Sequence, residues 1–243
     1  MLAIDIGNSR IKAAVFEHGK MARTVAAPDA RSLRAELREI DTPDAAAACS
    51  VRPSEDEPLR AVIRELFALP VAFLERELPA GLVIRCDEPH KIGADRLANA
   101  IAAYHHAGRA AIVVDCGSAI AFDVISDEGD FVGGVIAPGI GTSLDALHEK
   151  TALLPRVKAA APAGAVGKDT VSAMLAGVVG GLPGLVDRVV ENIRAELPWN
   201  FIVYATGGDS QWIAARSRTV EEVIPELTLE GLYLAWEKHP RQL

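Results

Sequence analysis

Asp5-Ile6-Gly7-Asn8-Ser9 and Asp115-Cys116-Gly117-Ser118-Ala119 repeat one pattern about 110 residues apart. Apolar runs lie on both sides of each stretch, which is typical of two strands joined by a tight turn. Glycine permits a turn that side chains would block and lets a phosphate approach backbone N–H groups, while an aspartate at a strand end can hold a hydrated metal ion. The repeat predicts a duplicated phosphate-handling fold with a nucleotide between its halves.

Strand and helix signals alternate around both turns. Residues 1–26 have the pattern of a three-stranded meander, and residues 110–137 have the pattern of a second one. Segments with helical periodicity follow each set of strands. The sequence therefore predicts an α/β fold of two similar lobes, residues 1–108 and 109–243.

Residues 168–196 form the most apolar helical segment of the chain. Pro183 and the three glycines within 180–184 predict a break in the helix there. These residues and Asp187 favour a buried or interfacial helix pair in a soluble protein over a membrane span. The preceding segment 159–167 is rich in small residues and proline, and predicts a mobile loop.

Composition narrows the class of protein. A net charge of −8 and a pI near 5.3 argue against a nucleic-acid-binding surface. The three cysteines, Cys49, Cys86 and Cys116, are far apart and show neither metal-ligand nor disulfide spacing. The N-terminus lacks the pattern of a signal peptide. We therefore expect a cytoplasmic protein with no membrane and no nucleic-acid partner.

Two further segments could contribute to a phosphate or nucleotide site. Lys12 lies three residues beyond Ser9, where its ammonium group could reach a β- or γ-phosphate; an exposed strand lysine is the alternative. Thr206-Gly207-Gly208-Asp209 follows an apolar strand, and its double glycine would let a base or ribose lie on the backbone. A plain strand–helix turn is the alternative there.

Gly93-Ala94-Asp95-Arg96 begins a predicted helix. An aspartate and an arginine at this position could form only a helix cap and a surface pair. As parts of a site they would have complementary chemistry, because the carboxylate can accept a proton from an attacking hydroxyl and the guanidinium can bind a carboxylate through two hydrogen bonds.

Taken in order, these motifs resemble those of the type III pantothenate kinases over nearly the whole chain. The resemblance rests on Asp5 to Lys12, Ser50-Val51-x-Pro53, Gly93 to Arg96, Asp115 to Ala119 with Asp123, Gly133 to Gly139, Gly167-x-x-Thr170, Thr206 to Asp209, and Leu227 to Leu232. It implies a duplicated ribonuclease H-like (actin-like ATPase) fold and a homodimer. The implied reaction is ATP-dependent phosphorylation of pantothenate to 4′-phosphopantothenate, the first step toward coenzyme A, with Mg²⁺ and a monovalent cation, K⁺ or NH₄⁺.

The resemblance also implies residue roles. Asp95 would be the general base, Asp5 would lie near Mg²⁺, and Asp115 would bind the monovalent cation. The implied ATP-binding residues are Asp5, Ile6, Gly7, Asn8, Ser9, Arg10, Ile11, Lys12, Ser118, Gly207 and Gly208. The implied pantothenate-binding residues are Gly93, Ala94, Asp95, Arg96, Cys86 and, reaching the partner subunit's pocket, Thr170. Together these roles imply an active site shared by the two subunits of the homodimer.

Several positions depart from the family pattern. Ser9 and Ser118 stand where threonine is usual, Ala121 replaces a common threonine, and Cys86 stands where some members carry a tyrosine. Loss of one neutral hydrogen bond costs roughly 0.5–1.5 kcal/mol, about tenfold in rate at most. Loss of a general base costs on the order of 10²–10⁴-fold. Because Asp95 is present, we expect an active kinase, slower at most.

Two other functions fit parts of the sequence. One is a non-catalytic or weakly active regulatory relative that binds nucleotide, against which the retention of Asp5, Asp95, Arg96 and Asp115 counts. The other is a different actin-like small-molecule kinase, such as a sugar kinase, against which the small size of the chain counts. Fold alone does not separate these possibilities.

Overall fold

The computed structural model describes residues 1–239, which divide into two compact units. The first unit contains residues 1–108, 129–131 and 226–239. The second contains residues 109–128 and 132–225. The division into residues 1–108 and 109–243 stays a prediction from the sequence; in the structure, residues 129–131 and 226–239 group with residues 1–108.

A five-stranded sheet forms the centre of the first unit. Its strands are β1 (Leu2–Ile6), β2 (Ile11–Glu17), β3 (Lys20–Ala27), β4 (Ala46–Ser50) and β5 (Ala72–Phe73), in the order β3-β2-β1-β4-β5. The first three strands form the predicted antiparallel meander, and β4 and β5 add in parallel.

Helices cover the first sheet on one face through α1 (Ala30–Leu37) and α2 (Asp56–Phe67). Leu2, Ile4 and Ile6 of β1 point into this hydrophobic core and are fully buried. Because side chains alternate along a strand, Ala3 and Asp5 point to the opposite face. That opposite face carries α3 (Ala94–Ala107), which packs against β4.

The second unit repeats the topology of the first. Its elements are β6 (Ala111–Cys116), β7 (Ala119–Ile125), β8 (Phe131–Pro138), α4 (Ile140–Lys150), α5 (Thr170–Glu196), β9 (Ile202–Thr206), α6 (Ser210–Ala214) and β10 (Glu222–Val223). The sheet order β8-β7-β6-β9-β10 matches β3-β2-β1-β4-β5 position by position. As in the first sheet, the first two strands pair antiparallel and the last two add in parallel. The predicted duplication is confirmed.

Helix α5 is continuous, so the predicted break near 180–184 is wrong. Pro183 lies inside the helix, where a proline costs about 3 kcal/mol. Val179, Leu182 and Val186 are buried in the core of the second unit beside it. Since burying one such side chain contributes about 1.5–3 kcal/mol, packing outweighs the local cost of the proline.

The carboxylate of Asp187 anchors one side of this apolar helix through hydrogen bonds. Asp187 is almost fully buried and accepts hydrogen bonds from Ser217 Oγ at 2.6 Å and from the backbone N–H groups of Arg218 at 2.9 Å and Thr219 at 3.1 Å.

Within residues 1–239, α5 alone has the length and composition of a possible membrane span, and a core helix of a soluble protein has the same properties.

The last helix, α7 (Leu227–Lys238), completes the first unit. It packs against α3 and lies over β1 and β4. Gly231 touches the backbone of Ala98 so closely that a Cβ atom at position 231 would overlap the Ala98 carbonyl. Thr228 Oγ1 donates to the Oδ1 atom of buried Asn99 at 2.8 Å. The two helices therefore meet backbone to backbone, which fixes the position of α3.

We predict that Gly231→Ala destabilises the protein by about 2 kcal/mol or more, because overpacking forces the two helices apart. Thermal and urea unfolding measure this change. Gly184→Ala, inside α5 with open space at its Cβ position, is the matched control and should gain up to about 1 kcal/mol from helix propensity. Equal stability of the two variants would contradict the close approach of α3 and α7.

Candidate active site

The end of β1 places Asp5 in a row of functional side chains across the first sheet. Asp5 is the direct register partner of Lys12 on β2 and of Cys49 on β4. Directly opposed residues in a sheet project to the same face, so all three side chains lie on the face that carries α3 and α7. The predicted phosphate-binding lysine and the predicted metal-binding carboxylate are therefore neighbours.

Cys49 lies beside Asp5 on the sheet face that carries α3. Its Sγ donates to Asp5 Oδ1 at 3.4 Å, and the residue is fully buried. Burial raises the pKa of the Cys49 thiol well above its usual range, and the negative charges of Asp5 and Asp95 raise it further. Both predicted carboxylates thus act on one buried, protonated thiol.

Lys12 forms an ion pair that the sequence did not suggest. Its Nζ lies 2.9 Å from Glu226 Oε2, and both side chains are mostly buried. Glu226 occupies the N-cap position of α7 but its carboxylate makes no capping hydrogen bond. The carboxylate instead holds the ammonium group of Lys12.

The turn from β1 to β2 is tight and carries the remaining predicted phosphate-binding residues. Gly7 N–H donates to the Arg10 carbonyl at 3.1 Å, and Asn8, Ser9 and Arg10 are exposed. The side chains of Ile6 and Ile11 are fully buried in the core, so only their backbone could meet a phosphate. The exposed part of the predicted segment is limited to the turn itself.

The start of α3 shows why Gly93 precedes Asp95. Asp95 Oδ1 accepts the Arg96 N–H at 2.9 Å and folds back over the helix start. A Cβ atom at position 93 would overlap this oxygen, so the glycine provides the space for the carboxylate. Burial raises the pKa of Asp95, an effect that the Arg96 N–H and the Arg96 charge oppose in part. A partly buried carboxylate with a raised pKa is suited to accept a proton.

Arg96 and Cys86 lie in the same unit as Asp95. The Arg96 guanidinium lies over the ring of Phe131, with 5.4 Å between its Cζ and the ring centroid. Cys86 is partly exposed and follows Arg85, whose Nε donates to Asp130 Oδ2 at 2.6 Å. The segment that contains Cys86 is therefore tied to residues 130–131.

The second Asp-Gly turn lies in a cradle of glycines in the second unit. Gly117 N–H donates to the Ala119 carbonyl at 3.0 Å, and Gly139 N–H donates to the Ser118 carbonyl at 3.0 Å. A Cβ atom at Gly139 would overlap the Gly117 carbonyl. Asp115 is partly exposed and Ser118 is exposed at this turn.

Gly207 closes the same cradle from β9. Its φ of 89° favours glycine, and a Cβ atom there would lie 2.6 Å from Asp115 Oδ1. Asp209 N–H donates to the Cys116 carbonyl at 3.0 Å, and burial raises the pKa of Asp209. Gly208 is exposed beside it. The structure thus brings Gly207 against the end of β6, beside Asp115.

Thr170 is the first residue of α5 and is exposed. Asp169 caps the helix and accepts the Ser172 N–H at 2.9 Å, while Ser172 Oγ accepts the Asp169 N–H at 3.1 Å. This reciprocal capping box fixes the helix start and therefore the place of the Thr170 hydroxyl.

A metal ion at this site would need ligands from outside the protein. Within the described residues, no three His, Cys, Asp or Glu side chains are grouped closely enough to hold a metal. Mg²⁺ in phosphoryl-transfer sites is usually bound by one or two carboxylates together with substrate phosphates and water. Asp5, a strand-end carboxylate beside a turn and a lysine, fits that mode of binding.

Sequence reasoning missed three residues at the first turn and the start of α3. Cys49 directly precedes the quoted Ser50-Val51 motif. The signal that could have found it is the buried strand before that motif, because a parallel pairing of this strand with β1 places Cys49 opposite Asp5. Phe131 precedes the quoted Gly133-Gly134 motif but no local pattern connects it with Arg96. Glu226 lies 214 residues from Lys12 in sequence, so only the fold brings them together.

The sequence matches one family of known proteins. The family model for type III pantothenate kinase matches residues 1–192. A type III pantothenate kinase of Frankia casuarinae is 38% identical and the alignment covers 98% of this chain and 99% of that protein.

Solved structures show the fold at low sequence identity. A protein from Campylobacter jejuni assigned to the Baf family of transcriptional activators superimposes with a TM-score of 0.63 at 21% identity, covering 99% of both chains. The activator of 2-hydroxyisocaproyl-CoA dehydratase from Clostridium difficile, solved with bound ADPNP, gives a TM-score of 0.55 at 12% identity, covering 98% of this chain and 96% of that one. The predicted duplicated, actin-like ATPase fold is confirmed. With the family model and a nearly full-length relative in agreement, this chain belongs to the type III pantothenate kinase family.

Proposed function

We propose that this protein transfers the γ-phosphoryl group of ATP to pantothenate, giving 4′-phosphopantothenate, the first step of coenzyme A biosynthesis. The observation that carries the proposal is the row of Lys12, Asp5 and Cys49 across the first sheet, on the face where α3, which carries Asp95 in its first turn, packs against β4. Phosphoryl transfer needs positioning, charge neutralisation and one carboxylate to orient the attacking hydroxyl. The first unit supplies candidates for all three.

Asp95 accepts the proton of the primary hydroxyl of pantothenate as that oxygen attacks the γ-phosphorus. Its raised pKa, caused by burial, makes it a better proton acceptor than an exposed aspartate. Because the pKa of Asp95 is raised, its carboxylate becomes protonated at a higher pH than that of an exposed aspartate. As the pH is lowered, we therefore expect kinase activity to fall at a higher pH than it would with an exposed aspartate as the base.

Lys12, together with a Mg²⁺ ion held by Asp5, would neutralise charge at the phosphates. Asp5 is the residue of the first unit that would hold Mg²⁺, and the metal, when bound, would offset the charge of the phosphate oxygens. Lys12, opposite Asp5 in the sheet, places an ammonium group on the same face. The exposed Asn8, Ser9 and Arg10 supply further donors at the turn.

The second unit has a different set of partners around its turn. Ala121 and Thr206 are the register partners of Asp115, in place of the lysine and cysteine beside Asp5. Asp115, the strand-end carboxylate of this row, is the residue assigned to the monovalent cation, K⁺ or NH₄⁺. Ser118, Gly207 and Gly208 are assigned to the nucleotide.

The direct test is ADP release from ATP by the purified protein, with and without pantothenate, in K⁺ and in Na⁺ buffers. The proposal requires pantothenate-dependent ADP release that is faster in K⁺. A regulatory relative that only binds nucleotide would release no ADP in response to pantothenate. A different small-molecule kinase would respond to another alcohol, such as a sugar, and not to pantothenate.

Asp95→Asn should lower kcat by roughly 10²-fold or more, because the amide keeps the shape but cannot accept the proton. ATP binding should persist, as measured by calorimetry. Asp29→Asn is the matched control: Asp29 caps α1 through the Ser32 N–H at 2.7 Å, outside the site, and asparagine caps equally well. Near-parental turnover of Asp95→Asn would end its assignment as the base.

Asp5→Ala and Asp115→Ala should separate the two cations. Asp5→Ala should raise the Mg²⁺ concentration needed for half-maximal activity, because it removes the proposed carboxylate ligand. Asp115→Ala should leave the Mg²⁺ titration unchanged and blunt activation by K⁺. Parental Mg²⁺ and K⁺ titrations in both variants would mean that the two turns are structural.

We also propose a homodimer in which each active site receives Thr170 from the partner. Supporting this, α5 exposes a series of small residues that would let a second helix pack closely: Ala173, Gly177, Gly180 and Gly181. Val171 beside Thr170 is 41% exposed and would add apolar area to this surface. In a two-fold dimer the same patch meets itself, so Thr170 of each copy lies near the patch of the other.

Mixing Asp95→Asn and Thr170→Ala subunits tests the shared site. In the mixed dimer one site carries both defects and the other carries neither, so activity should rise above that of either variant, toward about one quarter of the parent after random exchange. Subunit exchange is checked with a tagged copy of one variant. No recovery despite exchange, or full activity of a monomer, would rule the model out.

A further inference from the structure

Phe131 is a fully buried residue that begins β8 yet belongs to the first unit. Its backbone is held from both sides by the segment before Cys86. Phe131 N–H donates to the Val83 carbonyl at 2.8 Å, and Arg85 N–H donates to the Phe131 carbonyl at 2.8 Å. Ile84 and Phe131 form an isolated parallel bridge between these two bonds.

An ion pair secures the same two segments. Arg85 Nε donates to Asp130 Oδ2 at 2.6 Å, and the Asp130 side chain is mostly buried. We call residues 83–85 with residues 130–131 the clip. Because its backbone bonds and its charged pair act on adjacent residues, the clip leaves the Phe131 ring little freedom to move.

The ring of Phe131 supports Arg96. The Arg96 Cζ lies 5.4 Å from the ring centroid, within the range in which a guanidinium is attracted to an aromatic face. An aromatic ring beside the guanidinium restricts the positions that the arginine side chain can adopt. The edge of a guanidinium matches a carboxylate in a two-bond geometry that a flexible, unsupported arginine reaches at a greater entropic cost.

We infer that Phe131 is a positioning residue, which orients Arg96 toward the carboxylate of the substrate and thereby selects acids over their neutral analogues. The inference rests on the proposed function, since it assigns the carboxylate of pantothenate to Arg96. It adds a source of specificity that lies in the clip, on residues distant in sequence from α3. The substrate group that Arg96 would bind is the carboxylate, which lies at the end of the molecule opposite the reacting hydroxyl.

The test compares pantothenate with pantothenol, in which a hydroxymethyl group replaces the carboxylate. Phe131→Leu keeps an apolar side chain but removes the aromatic face. It should raise the KM for pantothenate by about three- to tenfold, while kcat and the KM for ATP stay near the parental values. The affinity for pantothenol, measured as substrate or as competing inhibitor, should not change, because no carboxylate depends on Arg96. Arg96→Lys should show the same selective loss.

A matched control separates positioning from packing. Phe73 is also a buried phenylalanine of the first unit, and the Arg60 Cζ lies 4.5 Å from its ring centroid. Phe73→Leu should lower the midpoint of thermal unfolding as Phe131→Leu does, but leave the preference for pantothenate over pantothenol unchanged. Asp130→Asn, which weakens the clip and keeps the ring, should reduce that preference by a smaller factor than Phe131→Leu.

The outcomes are distinct. If the parent enzyme is active and the Phe131→Leu variant still prefers pantothenate over pantothenol, the inference is wrong but the proposed function stands. An equal loss of affinity for both compounds also overturns it, because that result assigns Phe131 to packing only. A parent enzyme that phosphorylates neither compound overturns the proposed function and the inference with it.

Discussion

The register of β1 against its two neighbours is the constraint on which the candidate site depends. It sets Lys12, Asp5 and Cys49 side by side, on the sheet face that α3 and α7 cover. A shift of one residue would turn Asp5 into the hydrophobic core formed with α1 and α2. The close contact of Gly231 with Ala98 then fixes α3, whose first turn carries Asp95. Sheet register thus places Asp5 beside the buried Cys49 thiol, and helix packing sets α3, with Asp95 in its first turn, against the strand that carries Cys49.

Duplication of the fold produced two turns with the same topology and different surroundings. In the first unit the strand-end aspartate has a lysine and a cysteine as register partners, and in the second it has an alanine and a threonine. The second turn is instead enclosed by Gly139 and Gly207, which approach it closely. We propose that the first turn serves the phosphates and that the second serves the nucleotide and the monovalent cation.

Local patterns predicted most of the fold and supplied the residues that are proposed for the site. The two meanders, the helix that begins at Gly93-Ala94-Asp95-Arg96 and the glycine turn after β9 were all predicted, because turn chemistry and periodicity are local properties. The break predicted in α5 was wrong, because tertiary burial around Pro183 outweighs a local preference. The ion pair of Lys12 with Glu226 and the contact of Arg96 with Phe131 join residues distant in sequence, so no local pattern could indicate them.

The central claim is that the strand-end carboxylate Asp5 and the helix-start carboxylate Asp95 serve one phosphoryl transfer to pantothenate. The most direct measurement is identification of the product by ³¹P NMR and mass spectrometry after the purified protein is incubated with Mg·ATP and pantothenate. The account predicts one phosphate monoester, on the primary hydroxyl of pantothenate, formed in equal amount with ADP. Release of inorganic phosphate with unmodified pantothenate, or no turnover of ATP, would contradict it.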